Sequence, residues 1–443
     1  MAASSLPPSK PLFPRLKGGP HRMPPEQVAQ HQKARLELAM VEAVARHGFE
    51  GTTIKELVGL AGVSKSTFYQ HFEGKEDCFL ATFDEVIRQV TEQVSAAYRQ
   101  PGDFRERLLA ALATFMDLAK EEPGAARLAA VDSLTLGSAG VAHRERGTQA
   151  FEAMIRQSFD HSPSPVEVSD TVVRAIVAGV RGSVYRRLRA GRADELPGLT
   201  ETLVDWALSY QRPPSAALQR TMEVARRPLP PRDAAAAGEG EKGIPWEESP
   251  ASPRSRRELG QRERMIRAAA QVVVKEGYAA LSIPAISATA GVSNATFYEH
   301  FEDTRDALLA AFDEIATGVL SFVGAAFAAE GSRPEAIGAG ARALTEYFAA
   351  HELFARLSFF ELPAAGPIAL DQADRVLDSF GAFLRPGTIP PAFAGSVPEE
   401  LMIAIPSGIW ATIQHEIVSV GHRSLPDLAP EIVRVAASPF DVA

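Results

Sequence analysis

The side chains best suited to chemistry stand in one thirteen-residue stretch that occurs twice. The first copy is Ala61-Gly-Val-Ser-Lys-Ser-Thr-Phe-Tyr-Gln-His-Phe-Glu73. The second is Ala290-Gly-Val-Ser-Asn-Ala-Thr-Phe-Tyr-Glu-His-Phe-Glu302, 229 residues further on. Ten of the thirteen positions match: Ala, Gly, Val, Ser, Thr, Phe, Tyr, His, Phe and Glu. Between Ser64 and His71 the first copy offers the hydroxyls of Ser64, Ser66 and Thr67, the Lys65 ammonium, the Tyr69 phenol and the His71 imidazole. These are hydrogen-bond donors for anionic and carbonyl oxygens, the groups that phosphates and base edges present. They are not a catalytic set. The histidines of the chain are scattered, no Asp or Glu pair stands at metal spacing with them, and no glycine-rich phosphate loop follows a strand.

The elements around the stretch must hold those donors outward. Helical periodicity runs from Val28 to His47, with Leu36, Ala39, Met40, Ala43 and Val44 as its apolar stripe. Gly48 is expected to stop it and Phe49 to drop toward the core. Thr53-Ile-Lys-Glu56 reads as a capping box, in which the Thr53 hydroxyl accepts from the first turn and Glu56 reaches back. Gly62-Val63 makes the turn and Ser64 caps the next helix. In that helix Phe68 and Phe72 are four apart and face one core. Lys65, Ser66, Thr67, Tyr69 and His71 are left on the other faces, and Lys75 opens the following element. Helix, tight turn, helix is a helix-turn-helix, which lays its second helix in the DNA major groove. Thr53 and Ser64 also read simply as caps, Tyr69 as core and His71 as a surface bystander.

The second copy repeats this plan with Gly277 in the place of Gly48 and Ser282 in the place of Thr53. Ser293, Thr296, Tyr298 and His300 remain, but Lys65 becomes Asn294, Ser66 becomes Ala295 and Lys75 becomes Thr304. Two cations are gone from the face that would meet phosphate. Arg254, Arg256, Arg257, Arg262, Arg264 and Arg267 are placed to compensate from the preceding arm.

The repeat extends past the motif. Ala175-Ile176…Gly179 returns as Ala404-Ile405…Gly408, and Leu196-Pro197-x-Leu199 as Leu425-Pro426-x-Leu428, at the same offset. A whole domain-sized unit is therefore duplicated. Gly179 with Ser183, and Gly408 with Thr412, read as close helix packing. The chain of 443 residues is too long for one compact core. Its formal net charge of −9 confines any nucleic-acid binding to local patches. Cys78 is the only cysteine, which excludes an intramolecular disulfide and fits a cytoplasmic location. No apolar run is expected to span a membrane, and the N-terminus lacks a signal-peptide core. No convincing β alternation occurs, so the class is all-α. The expected organisation is a disordered arm at 1–24, a helix-turn-helix domain at 25–80, a helical ligand and dimerisation domain at 81–212, a Pro- and Gly-rich linker at 213–254, a second helix-turn-helix domain at 255–309 and a second helical domain at 310–443. Gly137 and Gly140 are expected to separate helices.

The motifs resemble the tetracycline-repressor (TetR) family. Its features appear as Gly48-Phe-x-Gly-Thr-Thr-Ile-x-x-Leu57, Ala61-Gly-Val-Ser64 and Thr67-Phe-Tyr-x-His-Phe-x-x-Lys-Glu76. The resemblance implies two tandem units, each a three-helix DNA-binding module joined to a helical effector and dimerisation bundle. It implies a non-enzymatic transcription regulator, usually a repressor relieved by a small ligand. Carried over by position, Thr53, Ser64, Lys65, Ser66, Thr67, Tyr69, His71 and Lys75 would face a double-stranded DNA operator. So would Ser282, Ser293, Asn294, Ala295, Thr296, Tyr298 and His300. No catalytic residue, metal or cofactor is expected. The expected effector is small and apolar or amphipathic. Tyr347, Phe348, Phe354, Phe359, Phe360, Phe380, Phe383 and Trp410 make the second half the better place for it. Covalent joining of two units predicts an intramolecular pseudo-dimer, with further homo-oligomerisation left open. The alternatives are a single-module DNA binder whose second unit only dimerises or senses, and a helical ligand-binding protein or enzyme that reuses the fold.

Overall fold

The computed structural model describes residues 24–160, 162, 166–229, 260–381, 383 and 398–441. The expected arm, most of the expected linker and Arg254, Arg256 and Arg257 lie outside the described residues. No strand occurs among those described. The chain divides into two compact units, Met1–Val168 with Val180–Gln211, and Ser169–Gly179 with Arg212–Ala443.

The first unit opens with α1 (Pro25–Gly51), α2 (Ile54–Ala61) and α3 (Lys65–His71). It continues with α4 (Lys75–Tyr98), α5 (Phe104–Glu121), α6 (Pro123–Ala130), a 3-10 turn at Asp132–Leu136 and α7 (Gly137–Asp160). Part of α8 (Asp170–Arg189) and α9 (Thr200–Ser209) complete it. α4 is the spine. Phe79, Phe83, Val86, Val90 and Val94 recur every three to four residues along it and are all buried. Each such side chain contributes roughly 1.5–3 kcal/mol when removed from water. Gly140 does not interrupt a helix as expected. It lies inside α7, where a Cβ would stand 2.0 Å from the Ser133 carbonyl oxygen. The glycine serves close approach, not chain breaking.

The second unit contains α10 (Ala216–Arg226), α11 (Gln261–Glu276), α12 (Ile283–Ala290), α13 (Asn294–Tyr298) and α14 (Thr304–Ala328). Then come α15 (Arg333–Ala350), α16 (Glu352–Arg356), a π-helical turn at Leu357–Glu361, α17 (Pro367–Gly381), α18 (Leu401–Ser419) and α19 (Ala429–Ala437). The spine here is α14. It is long and apolar enough to cross a membrane by length and composition alone, contrary to the expectation that no such run exists. Its Ala307, Leu308, Ala311, Phe312, Ile315 and Val319 are buried in the unit's core. Alanines and glycines between them raise the apolar content that a scan for bulky runs overlooks.

α10 falls in the stretch expected to be linker. Ser215 caps it by accepting from the Leu218 amide at 3.2 Å. Leu218, Thr221 and Ala225 share one face and are buried against α15 and α19. The approach is tight: a Cβ on Gly338 would stand 2.6 Å from the Thr221 carbonyl oxygen. A second close approach lies at Gly408, whose Cβ would be 2.6 Å from the Ala175 carbonyl oxygen. That is the packing role its small-residue spacing suggests.

Candidate nucleic-acid interface

Each module is assembled from local signals. Gly48 takes φ 69° and breaks α1, as expected. Phe49 beyond it is buried edge-on to Phe79, ring centres 5.0 Å apart. Thr53 caps α2 by accepting from the Glu56 amide at 3.2 Å. The return half of the box is replaced, because the Glu56 carboxylate lies 3.1 Å from His47 Nε2. Gly62 takes the left-handed conformation at φ 60° and ψ 41°, and Gly291 repeats it at 66° and 44°. Any side chain on Gly62 would also meet the Arg35 guanidinium, 2.5 Å from a Cβ. Ser64 caps α3 by accepting from the Thr67 amide at 3.0 Å. Ser293 does the same for Thr296 at 3.0 Å.

Two phenylalanines anchor each recognition helix. Phe68 and Phe72 are buried, as are Phe297 and Phe301. With that face fixed, Thr53, Ser64, Lys65, Ser66 and Tyr69 are exposed in the first module, and Thr67 and His71 are half-buried. Tyr69 is 51% exposed, too open for a core residue, and stands edge-on to Phe68 with centres 5.4 Å apart. The Lys65 ammonium is 5.9 Å from the Tyr69 ring centre, so charge and phenol share one patch. The Thr67 hydroxyl is held 2.9 Å from that of Ser64. His71 Nε2 lies 3.5 Å from Gln32 Oε1 of α1.

Lys75 opens α4, as expected, and is held by the module's own backbone. It is half-buried, and its ammonium donates to the carbonyl oxygens of Phe49 at 2.9 Å and Glu50 at 3.3 Å. Its charge is engaged within the module. Lys55, not singled out in the sequence, is exposed in the first turn of α2 two residues after Thr53. Its spacing from the cap was the available signal.

In the second module Ser282, Ser293, Asn294, Ala295, Tyr298 and His300 are exposed, and Thr296 is half-buried. α13 ends at Tyr298, where α3 runs on to His71. Pro284, Asn294 and Thr304 stand where the first module has Lys55, Lys65 and Lys75. The arginines of α11 are partly engaged inside. Arg262 lies 5.3 Å from the Phe301 ring centre and 3.6 Å from Glu314. Burial lowers the affinity of Arg267 for its proton, with Glu263 and Glu314 opposing.

Two exposed, capped recognition helices on phenylalanine anchors define a tandem helix-turn-helix protein. The sequence profile of the family described as "Bacterial regulatory proteins, tetR family" matches at residues 39–82 and again at 265–312. The chain carries that family's module twice. It is 31% identical over 97 residues to the HTH-type transcriptional activator FasR of Mycolicibacterium smegmatis, covering 22% of this chain and 44% of that protein. It is 25% identical over 107 residues to the nucleoid occlusion factor SlmA of Haemophilus ducreyi, covering 24% of this chain and 53% of that protein. The chain thus spans about half the length of these curated relatives. The fatty acid metabolism regulator protein of Bacillus subtilis matches at 26% identity over 184 residues, 42% of this chain and 88% of that protein. Among solved structures, the transcriptional regulator FadR of Bacillus subtilis in complex with stearoyl-CoA aligns at 15% identity with a TM-score of 0.37, covering 40% of this chain and 97% of that one.

Proposed function

We propose that this chain is a sequence-specific double-stranded DNA-binding transcriptional regulator, acting in the cytoplasm as a ligand-controlled repressor. One observation carries the reading. Ser64, Lys65, Ser66 and Tyr69 project from a capped helix whose other face is fixed by Phe68 and Phe72. Cap hydroxyls and helix amides suit phosphate, and the remaining donors suit base edges. The test is selection from a random duplex pool. A single enriched sequence, bound more weakly as salt rises, is the expected result. Uniform binding to all duplexes, or none, refutes it.

A small apolar or amphipathic effector is supported by a cavity of about 110 Å³ in the second unit. Phe348, Phe359, Phe380, Phe383 and Trp410 are among its walls, as the aromatic content of that half suggests. Among the described residues, no charged side chain lines it. Cavities of about 150 Å³ admit benzene, so this smaller one suits a short hydrocarbon segment. A longer ligand must displace the surrounding helices. Release of the selected duplex by such a ligand is the measurement that bears on it.

The reading includes an intramolecular pseudo-dimer. It rests on the duplication of a whole unit within one chain at a constant offset of 229 residues. Because the two recognition surfaces differ, the operator would be an imperfect palindrome, with half-sites about 34–36 Å apart. Light scattering at low concentration tests the assembly. A second reading, in which only the first module contacts DNA and the second unit senses, draws on Pro284, Asn294 and Thr304. Footprinting of one half-site alone would favour it.

A further inference from the structure

Asp132 and Glu361 occupy equivalent places in the two repeats, 229 residues apart. Asp132 opens the 3-10 turn of the first unit, and Glu361 closes the π-helical turn of the second. Each carboxylate is favoured in its charged form by a backbone amide in the helix-turn-helix module of its own unit. The amide is that of Phe49 for Asp132 and of Tyr278 for Glu361. These two residues are themselves equivalent, and each directly follows the glycine that ends the module's first helix. Gly48 has φ 69° and Gly277 has φ 83°. A Cβ on Gly48 would stand 3.7 Å from Asp132 Oδ1, which locates the carboxylate at the break. An arginine five residues earlier, Arg127 or Arg356, acts electrostatically on each.

The local conformations differ while the contact is the same. A shorter Asp on a tight turn and a longer Glu on a wide turn deliver an oxygen to the same amide. Burial pushes both carboxyls above their usual range, Asp132 to about 6, and Asp132 Oδ2 is buried with no hydrogen-bond partner. Burying an acceptor with one oxygen orphaned opposes folding. Local stability therefore does not explain the group. A glycine in the left-handed region leaves the chain free to swing at the helix end, and something must choose the angle.

We propose that Asp132 and Glu361 are positioning residues: through one hydrogen bond to the amide after the glycine break, each sets the angle at which the DNA-binding module leaves the effector domain of its unit. This rests on the DNA-binding reading above. The contact couples the two parts of a unit, since movement of the turn bearing the carboxylate moves the end of the module's first helix.

The test uses the full chain with Asp132→Leu, Asp132→Asn, Glu361→Met and Glu361→Gln. Leu and Met fill the volume and remove the acceptor, whereas Asn and Gln keep it. Three quantities are read: melting temperature, deuterium uptake of peptides spanning Phe49 or Tyr278, and affinity for the duplex that wild-type protein selects from a random pool. Leu and Met should hold or raise the melting temperature, speed exchange at their own amide at least tenfold, and weaken DNA binding at least tenfold. Asn and Gln should exchange no faster than wild type and keep its affinity. Unchanged exchange in the Leu and Met variants overturns the proposal. So does unchanged affinity despite faster exchange, or failure of Asn and Gln to retain both. A wild-type protein that selects no duplex refutes the DNA reading instead, and the exchange measurement then still decides whether the contact holds the amide.

Discussion

The ammonium nitrogen of Lys75 lies 2.9 Å from the carbonyl oxygen of Phe49 and 4.3 Å from the centre of its ring. Lys75 begins α4, where the helix dipole disfavours a cation. The carbonyls of Phe49 and Glu50 and the ring face hold it there. The side chain ties the spine of the first unit to the end of α1, a task that its position in the motif does not reveal.

Lys75→Met keeps the apolar stem and removes the donor. It should lower stability by about 1–2 kcal/mol, the range for a hydrogen bond from a charged group that is partly wet. The slope of DNA affinity against salt should stay at the wild-type value. A slope reduced by about one would show a phosphate contact instead.

Lys65→Ala should behave in the opposite way. Lys65 is exposed, so stability should change by less than about 0.5 kcal/mol. Affinity should fall, by about 1–3 kcal/mol if a base edge is contacted, with a shallower salt slope. Asn294→Ala should do less, since that surface has already lost its cation. Titrations of both variants on the selected duplex make the comparison. Equal losses would show that the two modules contribute alike.

Asp132 makes stability depend on pH in a direction that can be stated. Its folded carboxyl titrates at about 6, above the ordinary 3.8, because burial penalises the charged form. A raised acid favours the folded state below its ordinary value and loses that contribution as pH climbs toward 6. Wild-type stability should therefore fall between about pH 4 and 6 relative to Asp132→Asn. At pH 7 the Asn variant should be more stable, by up to about 3 kcal/mol. Denaturant melts at several pH values check this, and parallel curves would show that Asp132 is not the responsible group.

Gly338→Ala should destabilise the second unit. The new Cβ would meet the Thr221 backbone at 2.6 Å and the Val224 side chain at 2.9 Å. Neither α10 nor α15 can yield without losing packing, so about 1–3 kcal/mol is expected. Calorimetry should show a shift confined to one transition. No change would mean that α10 is detachable.

The helix-turn-helix modules were legible in the sequence because their signals are local. Caps at Thr53, Ser64, Ser282 and Ser293, left-handed glycines and four-spaced phenylalanines each act within a few residues. What escaped depends on distant partners. α10 has a readable face in Leu218, Thr221 and Ala225, but Pro213-Pro214 before it and the Ala and Gly run after it outweighed that face. Only the docking against α15 and α19 explains its order. Gly140 looks like a breaker until Ser133 is seen beside it. The Glu56 carboxylate lies beside His47, a partner nine residues away and outside the capping box. Lys75 belonged to the motif, yet its carbonyl partners are twenty-five and twenty-six residues away.

The replacement of Lys55, Lys65 and Lys75 by Pro284, Asn294 and Thr304 bears on inheritance. In an assembly of identical chains, one codon change alters every recognition surface together. Here each surface has its own codons, while both are translated in a fixed one-to-one ratio. One can drift toward a new target or toward silence while the other keeps its specificity. Mixed assemblies of old and new surfaces then need no second gene and no matching of expression levels.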